Sequence, residues 1–134
     1  MHKDGISRTE TKVMLAPVAI STDTTTTSVI IDTRGYDSMK VSVVAGIVTA
    51  GDVVITALTE SADSAMSGAT AVPSARLIGT LAANTAVDTT NEVASVGVVA
   101  NLRYVECVLT SANSCDMLVS IIAELGNAVV ASTV

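Results

Sequence analysis

Residues 29–63, VIIDTRGYDSMKVSVVAGIVTAGDVVITALTESAD, decide how this chain is read. They hold three strand-like runs parted by two glycine-bearing turns. In Asp32-Thr33-Arg34-Gly35 the aspartate can accept from backbone N–H groups two residues on, and the glycine supplies a positive φ. From Ser38 to Val48, Met39, Val41 and Val43 alternate with Lys40 and Ser42, the period-two pattern of a strand with one face in a core. Gly46 inside this run predicts a bulge or a close backbone approach. Thr49-Ala50-Gly51-Asp52 predicts a tight hairpin turn, and Val53 to Glu60 a returning strand that is apolar on both faces. Asp32, Gly35, Asp37, Gly51 and Asp63 are the residues expected to fix these strand ends.

Before this stretch, residues 1–11 are polar and mixed in charge, which predicts a flexible arm ahead of a single domain over 12–134. Lys12 to Ile20 is rich in strand formers, and Pro17 makes it an edge strand or two short pieces. Ser21 to Thr27 predicts a polar link. After the central stretch, 61–74 is a small-residue loop and Arg76 to Leu81 a short strand. The 81–92 segment carries too much Thr and Asn for a good helix. Val93 to Ala100, Leu102 to Thr110 and Asp116 to Leu125 predict a meander, with turns at Asn101, Ser111 to Ser114 and Gly126-Asn127. Eight or nine short strands with regular turn signals predict an all-β fold, an antiparallel β-sandwich or a jelly-roll-like barrel.

Composition narrows the partners. Half of the 134 residues are apolar, yet the only aromatics are Tyr36 and Tyr104. A core of Val, Ala and Ile buries little area per residue. With the high mean hydropathy, that predicts apolar surface covered by partner chains. No run approaches the roughly 20 apolar residues of a spanning helix, and residues 1–12 lack the apolar segment of a secretion signal. The expectation is a soluble chain, cytosolic at synthesis, with no membrane partner. The net charge is −6. Lys3, Arg8 and Lys12 outweigh Asp4 and Glu10 in the first twelve residues, so the body alone is more acidic still. Such a body repels phosphate backbones, and nucleic acid is not an expected partner.

Reactive chemistry finds little footing. The single histidine, His2, lies in the arm, so a Ser-His-Asp arrangement is not expected. Asp32, Asp37, Asp52, Glu60 and Asp63 could supply oxygens to Ca²⁺, but all sit at strand ends, where Asp serves the backbone. No glycine-rich phosphate loop occurs. Cys107 is expected opposite Val119 across a hairpin, away from Cys115, leaving both thiols free. The reading is therefore no enzyme, no catalytic residue, no cofactor and no metal. Arg103 and Glu106, three apart in a strand, cannot share a face. One enters an interior or an interface, or both lie near solvent on an edge strand. With Lys3, Arg8 and Lys12 they form the candidate interface set.

The run Asp32-Thr33-Arg34-Gly35-Tyr36-Asp37-Ser38, then Gly51-Asp52, Glu60-Ser61-Ala62-Asp63, Val72-Pro73 and Leu77-Ile78-Gly79-Thr80, resembles small structural proteins of tailed phages. The match spans Val29 to Thr80. Those proteins resemble capsid decoration, or cement, proteins bound outside the head. The resemblance implies a virion protein on the capsid exterior, made in the host cytoplasm, that binds the major capsid protein and itself, as a homotrimer or another homo-oligomer, and stabilises the assembled shell. Two alternatives remain: another virion β-domain of tail tube, head–tail joint or fibre, and a carbohydrate-binding β-sandwich.

Overall fold

The fold is that of a computed structural model that describes residues 9–99 and 101–128, the last two as backbone only. It is nearly all β, a single antiparallel sheet of eight strands that does not close into a barrel. The strands are β1 (Glu10–Ile20), β2 (Thr25–Thr27), β3 (Ile31–Asp32), β4 (Tyr36–Ser61), β5 (Thr70–Ala71), β6 (Leu77–Ile78), β7 (Val93–Val98) and β8 (Tyr104–Ala128). The main path runs β1-β8-β4-β7-β6, with β2 and β3 also on β8 and β5 on β4. The expected arm at 1–8 lies outside the described residues, and β1 begins two residues before Lys12.

Two strands dominate, and here the hairpin reading fails. β4 is 26 residues and β8 is 25, and they pair antiparallel from Tyr36↔Ala128 to Ser61↔Tyr104. Thr49–Asp52 is not a hairpin turn, and neither Ser111–Ser114 nor Gly126-Asn127 separates strands. At the first two places the long ladder turns a corner. Register shifts fall between Ala45 and Val48, Val48 and Ala50, and Ala50 and Asp52. Gly51 at φ +78° faces Asn113 and Ser114, at φ +62° and +58°. Paired bulges sharpen twist and bend a ladder. A Cβ on Gly51 would lie 2.5 Å from Cys115 Cα and 2.6 Å from the Ala112 carbonyl oxygen, so the corner requires glycine.

Beyond the corner the ladder folds back, and its halves enclose one sandwich-like core. Met14, Val41, Val43, Ile121, Ala123 and Leu125 from the first half join Val53, Ile55, Leu58, Val105, Cys107 and Leu109 from the second in one buried cluster. The halves are tied by Val29 N–H donating to the Met14 carbonyl at 2.9 Å and Lys12 Nζ donating to the Asp32 carbonyl at 3.3 Å. Several local expectations hold. β1 is an edge strand whose register slips between Leu15 and Val18, across Pro17. Met39, Val41 and Val43 are buried, and Gly46 sits at a register shift against Leu118. Others need correcting. Thr25–Thr27 of the polar link forms β2 on Thr110–Val108. The 76–81 strand shrinks to Leu77–Ile78, and a helical turn, α1 (Leu81–Asn84), follows, with Thr80 Oγ1 accepting from Ala83 N–H.

Candidate contact surfaces

The two ends of the sandwich differ in charge. The end where β4 and β8 begin and finish carries Lys12, Asp32 and Arg103 together with both tyrosines. Arg103 Nε and Nη2 grip the Asp32 carboxylate, each at 2.8 Å. The guanidinium lies 5.0 Å above the centre of the Tyr104 ring, a cation–π distance. Tyr36 Oη donates to Glu10 Oε2 at 3.1 Å, and Lys12 Nζ lies 3.8 Å from the other Glu10 oxygen. The Arg103 hydrogen bonds are the main cause that holds the Asp32 carboxyl down to about 2. Partial burial, then the Glu10 carboxylate, pushes the Tyr36 phenol up.

At the same end Glu60 is the buried charge, only 2% exposed. Arg76 reaches it with both terminal nitrogens, and the N–H groups of Asn101 and Leu102 donate to Oε2 at 2.9 and 3.2 Å. Arg76 Nη1 also donates to the Val99 carbonyl at 3.0 Å. One carboxylate thus pins the 3-10 turn at Ser74–Arg76, and the backbone of Asn101 and Leu102, to the end of β4. Arg76 is the main reason the Glu60 carboxyl lies below its ordinary range. The corner end is acidic. Asp23 accepts from the Ser114 and Cys115 N–H groups, Asp52 from Asn113, and Asp116 pairs with Ala50. Asp88 and Glu92 line a cavity of about 430 Å³ with Asp52.

The five strand-end residues take different roles. Asp32 Oδ1 accepts from Arg34 N–H at 3.0 Å, and Gly35 turns at φ +91°. Asp63 accepts from the Ala65 and Met66 N–H groups, so both turns are as expected. Gly51 is a corner and Asp37 lies within β4, so these two do not punctuate turns. Of the interface set, Lys3 and Arg8 lie outside the described residues. Lys12 and Arg103 meet through Asp32, while Glu106 stands apart, opposite Thr59. Arg103 precedes β8 in a bend, so strand alternation does not govern it. It is exposed and Glu106 half-buried, yet β8 is interior rather than an edge strand.

Cys107 and Cys115 are free and buried. Cys107 does not face Val119, because both lie on β8; its neighbour across the ladder is Leu58. Burial raises the Cys107 thiol to about 11 and pushes Cys115 up as well. Among the described residues no group of three or more His, Cys, Asp or Glu is placed to hold a metal ion. No described helix is long and apolar enough to cross a membrane.

What remains is two sheet faces turned to solvent. On the second half Thr25, Thr27, Thr56 and Thr110 stand with Ala57 and Val108, and Thr56 and Thr110 share a 2.8 Å hydrogen bond. On the first half the registered rows are Thr11-Glu124-Lys40-Gly97-Ile78, Val13-Ile122-Ser42-Ser95 and Ser120-Val44-Val93. Lys40 and Glu124 pair at 3.6 Å, and the Ser42 and Ser95 hydroxyls at 2.8 Å. Val13, Ile78, Val93 and Leu118 are exposed there. The alternation of Met39, Val41 and Val43 puts Lys40 and Ser42 on the side away from the core; Lys40 is exposed there and Ser42 is buried among its neighbours. No protein-family model, curated protein or solved structure matches the chain.

Proposed function

We propose that this chain is a structural, contact-making subunit of a tailed-phage virion, a decoration protein that binds the outside of an assembled capsid and stabilises it, with copies also contacting one another. The observation that carries the reading is the motif run from Asp32 to Thr80. Its Asp32-Gly35 turn opens the longest strand, and its Glu60-Asp63 segment closes it. The surfaces support it in kind: Thr- and Val-rich sheet faces offer area for binding rather than groups for catalysis. A ligand that binds only the assembled shell stabilises each site by RT ln(1 + [L]/Kd), about 2.7 kcal/mol at a hundredfold excess over Kd. Repetition over a lattice lets modest contacts add through avidity.

The test is addition of purified chain to undecorated heads of the encoding phage. Saturable binding, with a rise in the heat or osmotic stress the heads survive, is expected. Labelling confined to the tail in immuno-electron microscopy would replace this reading with the tail-associated one. The carbohydrate reading loses ground, because Arg103 occupies one face of Tyr104 and Tyr36 is half-buried. Sugar sites need an open aromatic face.

A further inference from the structure

The solvent face of the first half has a symmetry that its sequence does not advertise. Take the row Val13-Ile122-Ser42-Ser95 as a centre line. Four residues from Ile122 along β8, Leu118 projects on one side and Gly126 leaves a gap on the other. Two residues from Ser95 along β7, Val93 projects on one side, and on the other Ile78 covers Gly97. Val93 is 59% and Leu118 46% exposed. Both glycines line a depression of about 470 Å³ with Ser38, Lys40, Ser95 and Glu124. Ile78, 72% exposed, leans over Gly97 from the neighbouring strand.

We infer that a second copy of this chain stacks on this face about a two-fold axis along the Val13–Ser95 row, placing Leu118 of each copy in the depression of the other and Val93 of each against the other's Ile78. Such an isologous contact requires that each projection meet its counterpart on the same surface, and the spacing supplies Leu118 against the Gly126 depression about Ile122 and Val93 against Ile78, which covers Gly97, about Ser95. Charge agrees. The body is strongly acidic, yet the central rows carry only Lys40 and Glu124, which neutralise each other, while Asp116 lies at the corner rim. Edge pairing is a poor competitor, since Pro17 interrupts β1 and β6 has two residues. β1, β8 and β4 give about eight residues each to this face, β7 six and β6 two, so at about 3.4 Å by 4.8 Å per residue roughly 500 Å² is covered on each copy. A total of about 1,000 Å² is the least expected of a specific interface. The inference deepens the reading above by naming where copies meet.

The test joins Ser38→Cys to Leu118→Cys. Within one chain these positions are about 27 Å apart along the strands, whereas across stacked sheets they are about 10 Å apart. The native thiols are buried and stay unlabelled. A short bismaleimide should give a covalent dimer from the double variant and not from either single one. Light scattering should find the unsubstituted chain dimeric or larger. Leu118→Asp should lose that association with an unchanged circular dichroism spectrum, while Ala57→Asp on the Thr-rich face keeps it. A monomer at every soluble concentration, or an oligomer that resists Leu118→Asp and gives no 38–118 cross-link, overturns the inference. Head binding is read separately: a dimer that ignores heads sinks the decoration reading alone, and a head-binding monomer sinks this one alone.

Discussion

Replacing Glu60 with Gln keeps the side chain's size and removes its charge. It also places an NH₂ group where the Arg76 guanidinium and the Asn101 and Leu102 N–H groups converge as donors. Breaking one partner of a buried ion pair costs about 3–5 kcal/mol, much of it from the charge left behind. Arg76 keeps its bond to the Val99 carbonyl and is partly open to solvent, so the low end applies. A loss of about 3 kcal/mol lowers Tm by roughly 10 °C in a domain of this size. Calorimetry at pH 7 on both proteins is the assay. The pH dependence has a definite sign. The folded Glu60 carboxyl sits below its ordinary 4.5, so its contribution is complete above that value and fades as pH falls through the folded one. The gap between the two melting curves should therefore close on acidification. A Glu60→Gln variant melting within about 2 °C of the parent at pH 7 would refute a stabilising role for this carboxylate.

Gly51→Ala should leave little folded protein, because the new methyl meets the Cys115 and Ala112 backbone at a positive φ; a soluble variant with an unchanged melt would contradict the corner. Ellman's reagent should find neither thiol in the native protein and both after denaturation, since Cys107 and Cys115 are buried. Fast labelling at pH 7 would mean that the core opens. The Asp32 carboxyl should titrate near 2 in a carbon-detected NMR series. Arg103→Gln should return it toward its ordinary 3.8. Stability owed to this depressed group is present above 3.8 and lost as pH falls through about 2.

Much of the sheet was legible because period-two alternation is a local signal: Met39, Val41 and Val43 point inward as their spacing requires. The corner was not. Gly51, Asn113 and Ser114 have the chemistry of hairpin turns, and the same positive φ values serve paired bulges equally well. Only the long-range pairing of β4 with β8 separates the two outcomes. Glu60 escaped for a related reason. Counting alternate residues from Val53 and Ile55 leads to Ala57 and Thr59, and puts Glu60 on the other face. A register shift between Ile55 and Ala57 swaps the faces, and Leu58 and Glu60 turn inward. The charged residues singled out in the sequence, Arg103 and Glu106, drew attention because of their spacing. The stacking face was hidden too, since the match of Leu118 to the Gly126 depression and of Val93 to Ile78 exists only once β8, β4, β7 and β6 are in register.

We propose that the chain acts by binding an assembled shell. Co-sedimentation of the purified chain with undecorated heads of the phage proposed to encode it tests this binding most directly. Saturable binding at micromolar concentration, at a fixed ratio of chain to capsid subunit, is the expected result. Folded chain that stays in the supernatant at every ratio would contradict it.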